Sequence, residues 1–134
     1  MDPLILIVDD RPDDVELTEM ALSMLDCKFR TESATTGEKA LDFLKTLEQL
    51  PALILLDLKM PGMGGIETLR RIRTKERLKH VPVVIVTCST LESDVQKSRE
   101  AGANGFIHKA IGISEFSEDL GRHVKRWIGE QQPS

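Results

Sequence analysis

Three short runs, Leu4 to Val8, Leu53 to Leu56 and Val81 to Val86, are apolar and β-branched or leucine-rich, with no polar residue alternating through them. Runs of this length and texture suit strands buried on both faces, as in a parallel sheet covered by helices. Two weaker strands are expected. One is Lys28 to Glu32, and the other is Gly105 to His108, which follows the helix-stop sequence Ala101-Gly-Ala-Asn104.

The intervals between them carry a helical period. Leu17, Ala21 and Leu25 fall four apart after the first strand. Ala40, Phe43, Leu44 and Leu47 precede the third. Ile66, Leu69, Ile72 and the aliphatic stem of Arg73 follow it. Val95, Ser98 and Ala101 mark a polar, weakly striped helix, and Phe116, Leu120, Val124 and Ile128 mark the last one. Pro12 opens the first helix, where its missing N–H costs nothing. Strand and helix alternate five times, which predicts an α/β domain, a flavodoxin-like doubly wound (βα)5 with a five-stranded parallel sheet in the order 2-1-3-4-5.

The 134 residues fit one domain, expected over residues 1–129, with 130–134 as a polar, fraying tail. Hydrophobic residues make up 40% and charged residues 30%, the balance of a soluble globular protein. No run approaches the ~20 apolar residues that span a bilayer, and the start MDPLILIVDD lacks the features of a signal peptide, so a cytoplasmic protein without membrane contact is expected. The net charge of −4 argues against binding nucleic acid. The cluster Arg70, Arg71, Arg73, Lys75 and Arg77 reads as the solvated face of a helix, since Glu67 and Glu76 interleave with it. Cys27 and Cys88 read as small buried or half-buried residues, being too far apart in sequence to form a metal knuckle.

In a sheet of this kind ligands bind beyond the carboxyl ends of the strands. Strand one ends in Asp9-Asp10, strand three in Asp57, strand four in Thr87 and strand five in Lys109. Each has a plain explanation alone: Asp9 or Asp10 could cap the first helix, Thr87 could be a strand residue and Lys109 solvated surface. Together they say more. Three gathered carboxylates repel one another unless a cation sits among them, and oxygen ligands without His or Cys suit Mg²⁺. A hydroxyl and an ammonium on the far side of Asp57 suit an anion. A cation and an anion sharing one carboxylate are what phosphoryl transfer onto that carboxylate needs, with Asp57 as nucleophile.

Leu4-Ile-Leu-Ile-Val-Asp-Asp10, Leu55-Leu-Asp-Leu-Lys-Met-Pro-Gly-Met-Gly-Gly-Ile-Glu67, Pro82-Val-Val-Ile-Val-Thr87 and Ala101-Gly-Ala-Asn-Gly-Phe-Ile-His-Lys109 resemble the four signatures of receiver domains of bacterial two-component response regulators. The resemblance covers nearly the whole chain and is to single-domain, chemotaxis-receiver-like members. The Arg11-Pro-Asp-Asp-Val-Glu-Leu17 opening of the first helix resembles the regulators paired with phytochrome-type histidine kinases. The family implies Asp57 as phosphoacceptor, Asp10 as a direct Mg²⁺ ligand, Asp9 as one acting mainly through water, and the backbone carbonyl of Lys59 as a further ligand. It implies that Thr87 and Lys109 bind the phosphoryl oxygens, with Thr87 and Phe106 as the switch pair. The implied partner is a histidine kinase or histidine phosphotransfer protein. With no output domain following, output by protein contact is expected, along with a homodimer through the fourth helix, fifth strand and last helix, where Ile111, Ile113 and Trp127 lie.

Three positions depart from the family. Ala110 follows Lys109 where proline is usual, and a cis bond there would cost ~3 kcal/mol, so a trans peptide is expected. Gly64 stands where Asp is common, which removes a helix cap. Phe106 lacks the hydroxyl of the usual Tyr. Two other function classes fit less well. A phosphatase working through an aspartyl-phosphate wants a second Asp two residues after the nucleophile, where this chain has Lys59. A flavin carrier wants hydroxyls and glycine in its first loop, where this chain has Asp9-Asp10-Arg-Pro-Asp-Asp14. His108 reads as an ordinary sheet or surface residue, and His80 and His123 as helix-end and helix-face residues. Met20 and Met24 suit core packing and a docking surface equally.

Overall fold

The apolar runs become the middle of a single sheet. The computed structural model describes residues 2–89, 91–109 and 112–129. Within them the order is β1 (Leu4–Val8), α1 (Pro12–Ser23), β2 (Arg30–Ala34), α2 (Gly37–Thr46), β3 (Leu53–Leu56), α3 (Gly64–Thr74), β4 (Val83–Thr87), α4 (Glu92–Glu100), β5 (Gly105–His108) and α5 (Ile113–Trp127). All pairings are parallel and the strand order is β2-β1-β3-β4-β5, as the alternation predicts.

Successive residues of a strand face opposite sides. Leu6, Val8, Ile54, Leu56, Val83 and Ile85 therefore pack with α2 and α3, against Ala40, Leu41, Leu44, Leu69 and Ile72. Ile5, Ile7, Leu53, Leu55, Val84, Val86 and Ile107 pack with α1 and α5, against Ala21, Leu22, Phe116, Leu120, Val124 and Ile128. Each fully buried Leu or Ile stabilises the fold by roughly 1.5–3 kcal/mol relative to exposure. The exception is α4, whose sole buried residue is Ser98.

Three boundaries differ from expectation. β2 begins two residues later than the expected Lys28, because pairing with β1 sets its register through the Arg30 N–H to Pro3 carbonyl bond of 2.8 Å. It is an edge strand with only Ala34 buried, so its hydrophobic signal is faint. β4 starts at Val83 and not Val81, since Pro82 has no N–H to give the ladder. The buried stripe of α1 is Thr18, Ala21 and Leu22, while Leu17 and Leu25 are half-buried and Leu25 lies past the helix end.

The basic cluster is also not uniformly solvated. Arg73 is half-buried and its guanidinium donates to the carbonyls of Gly102, Lys79 and Val81 and to Asn104 Oδ1, at 2.8–3.2 Å. It ties the end of α3 to the starts of β4 and β5. Arg77 binds the carbonyls of Leu44, in the last turn of α2, and of Leu47 and Glu48 just beyond it. Arg70 and Arg71 do lie exposed beside Glu67.

Candidate functional site

The ladder bonds do not stop at the strand ends. Asp9 N–H donates to the Ala34 carbonyl, Asp57 N–H to Val8 and Lys109 N–H to Thr87, at 3.0, 2.9 and 2.8 Å. These bonds hold Asp9, Asp57, Thr87 and Lys109 side by side at the carboxyl edge. An open cleft of about 410 Å³ lies there, lined by Asp10, Arg11, Asp14, Asp57, Lys59, Thr87, Cys88 and Lys109.

Lys109 is the electrostatic centre. Its side chain is 2% exposed, and Nζ lies 2.8 Å from Asp9 Oδ2, 3.1 Å from Asp14 Oδ2 and 3.5 Å from Asp57 Oδ2. Burial on its own would favour the neutral amine, but the three carboxylates outweigh it and raise the pKa, so the group stays an ammonium. Asp9 is also buried. Burial raises its pKa, outweighing the bonds it accepts from Lys109 and from the Arg11 N–H at 3.1 Å. That Arg11 bond is the whole of Asp9's local role. α1 has no side-chain cap, so neither Asp9 nor Asp10 serves as one.

Asp9, Asp10 and Asp57 each bring a carboxylate oxygen within 4.8 Å of the others. Among the described residues Asp10 Oδ1 is buried and has no hydrogen-bond partner. A buried anionic oxygen left without a donor is costly unless a cation meets it. An all-oxygen donor set with such an orphan fits a hard divalent cation such as Mg²⁺.

On the other side of Asp57, Thr87 is fully buried, and its Oγ1 accepts from the Ser89 N–H at 3.4 Å. That bond leaves the hydroxyl proton of Thr87 free to donate. Phe106 is half-buried on the sheet face of α2 and α3, beside Ile85 in the ladder. Lys59 N–H donates to Asp57 Oδ1 at 3.3 Å, and its ammonium extends over the rim to Asp94 Oδ2, 3.6 Å away. The Ser89 hydroxyl first, and then Lys59 and Lys97, hold the Asp94 carboxyl below the usual carboxylate range.

The glycines after Asp57 have steric reasons. Gly64 has φ +74°, a left-handed conformation that Asp would enter only with strain. At Gly65 a Cβ would lie 2.3 Å from the Asp57 carbonyl oxygen, so only glycine lets α3 start against the loop after β3.

Asp14 was not expected in the site. Its signal was its place four residues after Asp10, in the first turn of a helix that Pro12 starts. Cys88, expected buried or half-buried, is exposed on the cleft, while Cys27 is half-buried. Met20 and Met24 are 51% and 54% exposed, which removes core packing as their explanation. His108 is half-buried with Nε2 3.1 Å from the Cys88 carbonyl, and His80 is exposed. His123 is half-buried over Gly105, and Trp127 packs at the edge of the α1–α5 core beneath Arg126. Thr90, Ala110 and Ile111 lie outside the described residues, so the expected trans peptide after Lys109 does too, as does the expected tail from residue 130.

The response regulator receiver domain profile matches residues 5–120. The probable methanogenesis regulatory protein FilR2 of Methanothrix harundinacea is 32% identical over 130 residues, 94% of this chain and 84% of that protein. The crystal structure of the phosphorylated cyanobacterial phytochrome response regulator RcpA superposes with a TM-score of 0.87 at 27% identity, covering 100% of both chains. The receiver domain of the sensor histidine kinase PA1611 of Pseudomonas aeruginosa, solved with a magnesium ion in its active-site cleft, gives 0.79 at 29% identity over 96% of this chain and 99% of that one.

Proposed function

The chain belongs to the response regulator receiver domain family, a family of two-component signalling switches, and from that premise we propose that Asp57 is the residue that takes the phosphoryl group. One observation carries the assignment. Asp57 stands between an acidic cluster with an orphaned oxygen and a buried ammonium, with a buried hydroxyl beside it. A carboxylate oxygen of Asp57 attacks the phosphorus of a phosphohistidine or acyl phosphate. The bond from phosphorus to the donor breaks and its electron pair leaves with the donor. Lys109 neutralises charge on the transferring oxygens, and Thr87 donates its free proton to one of them.

Asp9, Asp10, Asp57 and the backbone carbonyl of Lys59 are the groups to hold Mg²⁺, Asp10 directly and Asp9 mainly through water. The ion would supply charge neutralisation for the incoming phosphoryl group. The magnesium in the PA1611 receiver supports this reading. The receiver unit is residues 1–129, and it is a regulator whose chemistry is confined to its own phosphorylation and dephosphorylation.

The donor is a histidine kinase or histidine phosphotransfer protein in the cytoplasm. The likeness to RcpA favours a phytochrome-type kinase. Output is by protein contact, with no nucleic acid and no membrane involved; among the described residues no helix is long and apolar enough to cross one. The readout face is α4, β5 and α5. When Thr87 turns to the phosphoryl group, Phe106 moves into the space behind β4, and α4, held by one buried residue, shifts. The same face makes a homodimer, with half-buried Ile113 and Trp127 near it. Incubation with autophosphorylated histidine kinases of the source organism tests the function. A cognate kinase transfers its label to the chain within minutes, and light scattering then reports a dimer. Label transfer from none of them, or a monomer in both states, contradicts the corresponding part.

A further inference from the structure

Two loops border the cleft on the side away from the acidic cluster, and one carboxylate joins them. Asp94, in the first turn of α4, has a side chain only 15% exposed. Its Oδ2 is met by Lys59 Nζ at 3.6 Å, from the loop after β3, and by the hydroxyl of Ser89, from the loop after β4. The Ser89 hydroxyl also accepts from Leu91 N–H at 3.2 Å, and Ser89 N–H reaches Thr87 Oγ1. A continuous path therefore runs from Asp57, through the Lys59 backbone and side chain, to Asp94, Ser89 and Thr87. Lys59 is itself on the cleft lining and its side chain is 65% exposed, so its ammonium can swing from the rim toward Asp57.

We propose that Asp94 is a positioning residue for phosphoryl transfer, holding the Lys59 ammonium away from the acceptor until a phosphoryl group draws it across. A phosphoryl group carries close to two negative charges and three strong acceptors, where Asp94 offers one charge already shared with Ser89. The cation passes to the stronger anion. Its departure removes one of the few ties that α4 has, since that helix buries only Ser98. The latch thus sets the reactivity of the site toward donors and also gives phosphorylation a direct hold on α4. No bond is made or broken in the latch beyond hydrogen bonds. The covalent step is still the exchange of the donor–phosphorus bond for the Asp57–phosphorus bond.

The proposal rests on Asp57 as acceptor, and acetyl phosphate with Mg²⁺ tests both separately. Phosphoprotein formation is followed by phosphate-affinity gel across donor concentrations. Asp94→Asn, which frees Lys59, lowers the half-saturating donor concentration about threefold to fivefold, the factor an exposed ion pair corresponds to, with the maximal rate nearly unchanged. Asp94→Glu, which keeps the carboxylate, stays near the parent. In a Lys59→Gln background the Asp94→Asn change has no further effect. The same half-saturation for Asp94→Asn and the parent overturns the latch, as does an equal gain in the Lys59→Gln background. Absence of label on every protein, the parent included, overturns the Asp57 assignment and the latch with it.

Discussion

Lys109 Nζ and Asp9 Oδ2 stand 2.8 Å apart at the carboxyl ends of β5 and β1, one hundred positions apart in the chain. The second oxygen of Asp9 accepts from the Arg11 N–H, so this carboxylate has partners of its own before any metal arrives. Its neighbour Asp10 has an oxygen with none.

That contrast orders their effects on metal binding. Asp9→Asn is expected to weaken Mg²⁺ binding by about 10–100-fold, the scale of groups that act through another ligand or water, and Asp10→Asn by more than that. Titration calorimetry on both variants checks it. Equal or reversed losses contradict the order.

Gly65→Ala brings a methyl to within 2.3 Å of the Asp57 carbonyl oxygen. Backbone cannot yield as a flexible side chain does, so the acceptor loop must move. The expected loss is about 1–3 kcal/mol of stability and a slower phosphorylation rate. Gly129→Ala, whose nearest neighbours are Lys125 side-chain atoms at 3.4 Å or more, is the control. Denaturant midpoints and acetyl phosphate labelling measure both effects, and parent-like behaviour of Gly65→Ala contradicts the steric account.

Arg73→Met keeps the aliphatic stem and deletes the guanidinium that serves five acceptors, the carbonyls of Leu78, Lys79, Val81 and Gly102 and Asn104 Oδ1. Leaving those acceptors short of a donor is expected to cost about 2–3 kcal/mol. Arg70→Met on the exposed side of the same helix should stay within about 0.5 kcal/mol of the parent. Urea denaturation of the two separates a clamp from a solvated face, and similar midpoints would show that Arg73 is no clamp.

Burial first, and then the cations Arg122 and Arg126, hold the pKa of His123 below its usual 6.5. The unfolded chain therefore binds a proton at a higher pH than the folded one. The stability tied to this group is fully present above about 6.5 and is lost as pH falls through the folded value. His123→Gln should flatten the fall in stability as pH drops through and below about 6.5, and only modestly, because the ring stays partly in water. An identical pH slope in the two proteins contradicts the shift.

These residues also show what the sequence made legible. The central strands announced themselves because burial on both faces forbids polar residues, and their last residues gave the positions of Asp9, Asp57, Thr87 and Lys109 directly. β2 was misplaced by two residues because an edge strand with exposed Arg30, Glu32 and Ser33 has no hydrophobic signature, and only pairing with β1 fixes it. The helical period put the aliphatic stem of Arg73 on the buried stripe, but its guanidinium reads like those of Arg70 and Arg71 in the sequence. What separates them is a set of acceptors in the turn before β4 and, about 30 residues away, at Gly102 and Asn104, which only the folded chain brings together. Asp14 and Asp94 were hidden for the same reason, since each meets its lysine partner only across the cleft. The positive φ of Gly64 was out of reach too. Its absent side chain suggested a lost cap, whereas the backbone there calls for glycine.

Labelling by acetyl phosphate, with intact-mass and peptide mass spectrometry on the parent and on Asp57→Asn, tests the central claim most directly. The parent is expected to gain one phosphoryl group, on the peptide that carries Asp57, only when a divalent cation is present, and Asp57→Asn is expected to gain none. Full labelling of Asp57→Asn, or of the parent in excess chelator, would contradict Asp57 as the acceptor in a metal-dependent site.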